Sequence, residues 1–455
     1  MNYDSTLNLP KTDFPMRAGL PVREPVQIEA WERLGLYSKI IERNADKPRF
    51  VLHDGPPYAN GDIHMGTAMN KILKDFIIRY KNMTGFRADY VPGWDTHGLP
   101  IESAIMKKQK LGELSTAEFR DKCRAFAEGF VDSQRVQFKR LGGIGNWDNP
   151  YITCAPAFEA KQVEIFGAMA KKGYIYKGLK PVYWCPRDKT ALAEAEIEYK
   201  EVGNESIYVK FRVKDDKGKL SAHAPLDNIY FVIWTTTAWT LPGNLGISLN
   251  ADLDYVLARA GAEVYIVAKD LLESFKDGAG IVDTEILAEM KGSEFDCMTA
   301  LHPFIDRESL IMTGAHVTAD SGTGCVHTAP GHGAEDFHIG RRYGLDVITP
   351  VDGGGVMTAD AGPFQGMYYT KAGGAIIEHL RVSGALLAQK HIDHSYAHCW
   401  RCKHPVLFRA TEQWFASVEA MKERAVGEVD GVRWFPAWGK ERMSAMIRER
   451  ADWCI

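Results

Sequence analysis

The sequence predicts an α/β protein in which an open, mostly parallel sheet gives way to a β-rich, barrel-like block. Three observations predict it. Between residues 49 and 80 a short apolar run, a Gly-Pro-Pro turn and a helical stripe follow one another. Strand-like and helical segments then alternate to about residue 172, the pattern of a sheet covered by helices. From about residue 200 the texture changes to short alternating runs separated by turns, which reads as β-rich structure in a closed or partly closed barrel.

Each element has its own signal. "RFVLH" (49–53) is apolar, ends at the turn and fits a buried parallel strand. After Gly61, Met65, Met69, Ile72, Leu73, Phe76, Ile77 and Tyr80 fall at helical spacing, with Lys71, Lys74 and Lys81 among the polar positions between them. "FRADYVPGWD" reads as a second strand running into a loop. Ser115 and Glu118 make a capping box, and Phe119, Cys123, Phe126 and Phe130 continue as one stripe. A further helix over 157–172 stops at Gly173. "ESIYVKFRV", "NIYFVIWTTT", "DYVLARA" and "EVYIVAK" are strands, after which helices return with "AEDFHIGRRYG" and "TKAGGAIIEHL". Periodicity leaves open whether the β-rich block follows the α/β unit or is inserted into it.

Composition narrows the class. At 455 residues two or three domains are expected. A net charge of −4 argues against a broad electrostatic clamp on nucleic acid, without excluding a local basic face. No apolar stretch reaches the length of a membrane span, and the first twenty residues lack the pattern of a secretory signal. Eight cysteines are scattered, and the one close pair, Cys399 and Cys402, has the look of a metal knuckle rather than a disulfide framework. A reducing cytoplasm is the expected compartment.

The stretch "LHDGPPYANGDIHMGT" (52–67) concentrates the chemistry. A helix beginning near His64 presents unpaired N–H groups and partial positive charge to an anion. Gly61 and Gly66 let backbone approach a ligand, and His64 can donate to phosphate oxygens. Turn formers followed by a solvated histidine would give the same spacing. "PYANGDIHMGT", "NKILKD", "GWDTHGLPIE", "WTTTAWTLPGN", "GTGCVHTAPGHGAEDF" and "CWRC" together are more specific. With them the chain resembles a class I aminoacyl-tRNA synthetase, in particular the N-terminal portion of the isoleucyl branch, from "STLNLPKTDFPMRAGLPVREP" to "RADWCI".

The resemblance implies a Rossmann-type catalytic domain, incomplete here, interrupted by an inserted β-rich editing domain. The corresponding division is 1–198 (first catalytic half), 199–390 (editing) and 391–455 (knuckle and return to the catalytic fold). It implies ATP with Mg²⁺, isoleucine and its tRNA as partners of a monomer without membrane association. In the family a His-x-Gly-His signature braces ATP phosphates; here it reads His64-Met65-Gly66-Thr67. Losing one donor aimed at transition-state charge costs on the order of 3 kcal/mol. Thr67 is expected to retain part of that role. Asp95 matches the anchor for the amino acid's ammonium, Gly55 and Pro56 the adjoining pocket wall, and His97 and Glu102 supporting positions. From spacing alone a loop cap between Trp94 and Thr96 is the commoner outcome for Asp95, and the resemblance reverses that order.

The resemblance also assigns an editing site to Thr235, Thr236, Thr237, Asn244, His327 and Asp336, with Asp336 holding the ammonium of a misattached valine. If the strand continues through them, alternation points Thr235 and Thr237 to one side and Thr236 to the other. Ordinary β-propensity explains the threonines, and helix N-terminal charge explains Glu335-Asp336, without any function. Cys399-Trp-Arg-Cys402 has the spacing of half a zinc site, and "CPRD" supplies Cys185 and Asp188 where relatives often carry two cysteines. Zinc on this set, with His398 or His404 as substitutes, and a metal-free vestige are both open. The chain ends before the Lys-Met-Ser-Lys-Ser loop and the anticodon domain of the family. Alone it is therefore expected not to charge tRNA, while weak deacylation persists. A stand-alone editing hydrolase and a non-catalytic tRNA-binding paralogue are the alternatives.

Overall fold

The computed structural model describes residues 3–8, 13, 18–107, 114–450 and 452–455. Parts of the N-terminal resemblance (9–12 and 14–17) lie outside the described residues. The chain divides into two compact units, Met1–Lys171 and Lys172–Ile455.

The first unit is mainly helical: α1 (Leu20–Arg33), α2 (Leu36–Arg43), α3 (Met65–Met83), α4 (Leu99–Met106), α5 (Thr116–Arg140) and α6 (Pro156–Lys171). Its strands β1 (Gly93–Trp94) and β2 (Tyr151–Ile152) pair in parallel. Single parallel bridges join Arg49 to Arg87 and Tyr58 to Asp95. The expected parallel sense is present, but "RFVLH" is not a buried strand. It makes one bridge, and Val51 is 74% exposed, because only the Arg87 side supplies a partner among the described residues. The Ser115–Glu118 box forms as expected, and Gly173 ends α6 at a positive φ of 76°.

Helix α3 lies where the periodicity puts it, yet the apolar stripe is its open side. Met65 is 85%, Met69 62% and Phe76 61% exposed, whereas Lys71, Ile78 and Asn82 are buried. Pairing rather than hydropathy decides the orientation: Asn82 is hydrogen-bonded to Asn44, Ile78 and Ala88, and Lys71 is ion-paired to Asp54. The unit's core gathers Ala59, Trp94, Ile101, Ala127, Val131 and Phe138.

In the second unit β3 (Ile175–Cys185) and β4 (Thr190–Leu192) join β15 (Leu407–Ala416) and β16 (Trp453–Cys454) in a four-stranded sheet, order β16-β15-β3-β4. The remaining strands form one ten-stranded mixed sheet. They are β5 (Ile197–Asp215), β6 (Ile229–Thr235), β7 (Gly246–Leu249), β8 (Asp254–Ala260), β9 (Glu263–Ala268), β10 (Glu285–Lys291), β11 (Thr299–Leu301), β12 (Glu308–Thr313), β13 (Val326–Thr328) and β14 (Leu386–Cys399). Their order is β10-β8-β9-β6-β5-β11-β12-β7-β13, with β14 also on β5. Helices α7 (Leu272–Ala279), α8 (Ala334–Arg342), α9 (Tyr369–Val382), α10 (Glu419–Val429) and α11 (Gly439–Arg448) complete the unit.

Alternation along β5 sends Ile207, Val209, Phe211 and Val213 into the main core. Tyr208 faces the other way, against Val232, Val256 and Phe275 of α7. Burying both faces of the central strands makes this the unit's most continuous apolar region. The barrel expected from the sequence is corrected: the sheet is open. Its edge strand β10 is bulged between Ile286 and Ala288 and carries Glu285, Glu289 and Lys291. Charges and a bulge blunt a sheet edge against further pairing, and the opposite edge, β13, is three residues long. No helix among the described residues is long and apolar enough to cross a membrane.

Candidate functional site

In the first unit His64 is the extended N-cap residue of α3 (φ −115°, ψ 173°). Its N–H donates to Thr67 Oγ1 at 2.9 Å, and the Thr67 hydroxyl donates back to the His64 carbonyl at 2.8 Å. The Gly66 N–H donates to His64 Nδ1 at 3.1 Å. With Nδ1 accepting, the ring proton belongs on Nε2. His64 is exposed, so that N–H is offered outward. Gly66 has a steric reason: a Cβ there would stand 2.9 Å from the imidazole. The threonine in place of a second histidine is thus built into the helix start, and its hydroxyl proton is directed at a backbone carbonyl.

Gly55, Pro56 and Asp95 are brought together by backbone bonds. The Asp95 N–H donates to the Pro57 carbonyl and the Ala59 N–H to the Asp95 carbonyl, both at 2.9 Å. This sets Gly55 and Pro56 beside the turn that carries Asp95. Asp95 Oδ1 accepts the His97 N–H at 3.2 Å, so the loop cap coexists with an available carboxylate. Burial raises the Asp95 carboxyl above its ordinary value against the His97 amide, the His97 ring and the Thr153 hydroxyl. The His97 ring turns to Glu159 of α6 at 3.0 Å.

The second unit assembles most of the second residue set. The strand β6 ends at Thr235, so alternation does not carry on to Thr237; a turn in which the Thr237 N–H donates to Thr235 Oγ1 at 3.1 Å brings the two hydroxyls 3.3 Å apart. Thr237 continues to Thr240 at 3.4 Å. Thr240 donates to the Thr237 carbonyl and lies 3.0 Å from His327 Nε2. Asn244 Nδ2 donates to the Gly246 carbonyl at 2.9 Å and to His327 Nδ1 at 2.7 Å, and Ser309 donates to Asn244 Oδ1 at 2.6 Å. The result is one hydrogen-bonded chain from Thr235 to Ser309. Within it His327 is the neutral Nε2–H tautomer. Burial, reinforced by His302 and His332, pushes its pKa down to about 3. Antiparallel pairing of β13 with β7 places His327 opposite Ile247, next to Asn244.

Thr236 lies apart: its carbonyl accepts from Asn204 at 3.0 Å. Asp336 occupies the first turn of α8 and accepts the Ala329 N–H at 2.8 Å, tying it to the end of β13. A Cβ on Gly333 would come within 2.8 Å of its carboxyl carbon. Burial, with Glu335 nearby, raises Asp336 to about 6. Sequence reading missed Thr240 and Ser309, and the Asp54–Lys71–Lys74 cluster of the first unit. Thr240 stands inside a quoted motif, whereas Ser309 gives no local signal because β12 reaches the site only through the sheet.

The four predicted metal ligands converge. Cys185, Asp188, Cys399 and Cys402 offer ligand atoms all within 4.8 Å of one another. Cys185 and Cys402 sulfurs are 3.4 Å apart, and Cys399 Sγ is 3.5 Å from Asp188 Oδ2. Tetrahedral zinc with bonds of about 2.0–2.3 Å needs ligand atoms about 3.3–3.8 Å apart, and these two pairs stand at that spacing, which makes the set compatible with zinc. The two turns are counterparts: Cys-Pro-Arg-Asp-Lys and Cys-Trp-Arg-Cys-Lys both end in a lysine of positive φ, Lys189 (52°) and Lys403 (61°). Asp188 therefore occupies the position of Cys402. The His398 and His404 rings hydrogen-bond backbone carbonyls, His398 to Tyr396 and His404 to Cys402. Burial pushes the Cys185 and Cys402 thiols up, a penalty that a bound cation reverses.

Residues 27–455 match the family model of class I tRNA synthetases (I, L, M and V), and the chain belongs to that family. It is similar along its whole length to isoleucine–tRNA ligases. That of Thermoanaerobacter sp. (strain X514) is 58% identical over 100% of this chain and 49% of the relative. That of Bacillus cereus (strain AH187) is 55% identical over 100% and 49%. The chain spans about half the length of the curated relatives it matches. Among solved structures, the ternary complex of Agrobacterium radiobacter K84 agnB2 LeuRS-tRNA-LeuAMS matches at TM-score 0.36 and 17% identity, over 86% of this chain and 49% of that chain.

Proposed function

We propose that this chain carries part of the activation site and the editing site of a cytoplasmic, monomeric isoleucine–tRNA ligase. The observation that carries the reading is the pairing of an outward Nε2–H at the start of α3 with a separate hydroxyl–imidazole chain in the other compact unit. In activation the isoleucine carboxylate attacks the α-phosphorus of ATP, with Mg²⁺ as counter-ion, and pyrophosphate leaves. His64 Nε2–H donates to a phosphate oxygen and Asp95 takes the ammonium. Gly55 and Pro56 form the wall. Thr67 acts through the helix cap, by holding His64. The 2′- or 3′-hydroxyl of the tRNA's terminal ribose then displaces AMP.

A pocket discriminates against a missing methylene by only about 1–3 kcal/mol, isoleucyl-tRNA synthetase facing valine being the standard instance of that limit. A second, hydrolytic pocket is therefore required. Asp336 holds the valyl ammonium, and the Thr235 and Thr237 hydroxyls orient the ester for water. Asn244, wholly buried, acts through His327. We read the β-rich block as an insertion over 199–390. Antiparallel pairing of β5 with β14, from Val209–Leu386 to Ile197–Cys399, supports that: the chain leaves and returns side by side.

The full-length gene product tests the reading. It is expected to exchange pyrophosphate into ATP with isoleucine and to hydrolyse valyl-tRNA while sparing isoleucyl-tRNA. Failure of isoleucine-dependent exchange refutes the ligase; equal hydrolysis of both esters refutes the editing.

Zinc on the Cys185–Asp188–Cys399–Cys402 set would cross-link the β3–β4 turn to the β14–β15 turn. One equivalent is expected in purified protein, lost in Cys399→Ser. Asp188→Cys should tighten binding by tenfold or more in competition with a chromophoric chelator, since thiolate is the softer ligand. Protein free of zinc after growth in zinc-supplemented medium contradicts the assignment.

A further inference from the structure

Asp54 stands one residue before the substrate wall and is buried, with 1% of its surface exposed. Its two carboxylate oxygens face two ammonium groups of α3. Lys71 donates to Oδ2, and Lys74 donates to Oδ1 at 2.6 Å. The Gly93 N–H donates to Oδ2 at 2.9 Å, and the Tyr151 hydroxyl donates to the Asp54 carbonyl. Lys71 also reaches the Tyr90 hydroxyl at 3.3 Å and lies 5.1 Å from the Phe138 ring centroid. Glycine is required at 93, where a Cβ would fall 2.0 Å from the Tyr151 ring. Burial opposes the charge on Asp54, yet Lys71, Lys74 and the Gly93 amide hold its carboxyl below the ordinary value.

The cluster adjoins the segments that carry the proposed activation site in this unit. Gly55 follows Asp54 directly, and a Cβ on Gly55 would stand 3.7 Å from Lys74 Nζ. Gly93 is two residues before Asp95. Lys71 lies seven residues along α3 from His64, about 10 Å of rigid helix. We propose that Asp54 is a positioning residue for adenylate formation: its carboxylate clamps the amino-acid wall and the Asp95 strand to the helix that presents His64. This rests on the ligase reading above. Bringing the isoleucine carboxylate to the α-phosphorus demands contact near 3–3.5 Å, and a misplacement of about 1 Å costs roughly a hundredfold in rate. The clamp sets that spacing, so its loss acts on kcat more than on either KM.

The test uses the full-length gene product, with melting temperature and isoleucine-dependent ATP–pyrophosphate exchange read side by side. Asp54→Asn leaves two facing ammonium groups in the buried cluster and is expected to lose both stability and exchange. Asp54→Asn with Lys71→Met removes the surplus cation. It should regain most of the melting temperature while kcat stays about a hundredfold low and both KM values move less than threefold. Recovery of parental kcat together with stability would make the cluster merely structural and overturn the proposal. Should the double variant not fold, Lys74→Met decides, because Asp54 then keeps Lys71 and Gly93. A tenfold loss of kcat at an unchanged melting temperature supports the clamp, and parental kcat overturns it. A parent without exchange would refute the ligase reading instead, which keeps the two failures apart.

Discussion

Asp336→Asn is expected to slow hydrolysis of valyl-tRNA by about a hundredfold or more. An ammonium held by a partly buried carboxylate loses about 2–5 kcal/mol when the charge is removed, and a hundredfold lies inside that range. Asparagine is the informative replacement. Its amide oxygen can still accept the Ala329 N–H that Asp336 accepts at 2.8 Å, so the loop keeps its brace and only charge is lost. Alanine removes both. The pH dependence gives a second check. Burial, with the neighbouring Glu335, raises Asp336 to about 6, even though a first-turn position favours the anion. Only the ionised form holds an ammonium, so kcat/KM for deacylation should fall about tenfold per pH unit below 6. The asparagine variant should lack that limb.

Stability runs the other way. A carboxyl whose folded pKa lies above its unfolded one contributes stability that is present below about pH 4 and lost as pH rises through about 6. Asp336→Asn should therefore melt higher than the parent at pH 8, with the advantage shrinking towards pH 4. A variant that deacylates at the parental rate removes Asp336 from the reaction.

The other residues of that site narrow the chemistry. Both nitrogens of His327 are occupied, Nδ1 by Asn244 and Nε2 by Thr240, and its pKa near 3 keeps it neutral. Such a ring is not a general base at pH 7. It presents an uncharged surface and passes the order of the Asn244–Ser309 end to the Thr235–Thr237 end.

Much of this was legible in the sequence where a local rule decides the outcome. Ser115 and Glu118 specify a capping box from four residues, and alternation along "ESIYVKFRV" separates the residues of β5 that enter the main core from Tyr208 on its other face. Legibility failed where distant partners decide. The stripe on α3 located a helix but not its buried face, because burial there follows Asp54, Asn44 and the main chain rather than hydropathy. Closure of the β-rich sheet depended on whether β10 pairs across to β13, and the charges on β10 bear on that only once its place at the edge is known. Ser309 reaches Asn244 across 65 residues of chain. The metal set lies between these cases: the spacing of 399 and 402 announced one half, the resemblance supplied Cys185 and Asp188 as the other, and the shared backbone of the two turns, each ending in a lysine of positive φ, emerged only from the structure.

His64→Ala should lower isoleucine-dependent exchange in the full-length product by about 10²–10³-fold, the usual cost of deleting one donor aimed at developing transition-state charge. The effect should fall on kcat, and the KM for isoleucine should hardly move, since the proposed reading assigns His64 to the phosphates and Asp95 to the amino acid. Thr67 separates two ways of helping. If its hydroxyl served a phosphate directly, Thr67→Val would approach the His64 loss. Here that hydroxyl accepts from the His64 N–H and donates to the His64 carbonyl, closing the helix start on itself. Removing a cap of this kind costs about 1 kcal/mol, so Thr67→Val should lose only about fivefold, and Thr67→Ser, which keeps both bonds, should stay near the parent. Thr67→His tests the same logic in reverse. It restores the second imidazole of the family signature but removes the cap that aims the first, so no hundredfold gain is expected. Exchange by Thr67→Val at the parental rate would show that the cap does not govern His64, and a hundredfold loss would return the threonine to the phosphates.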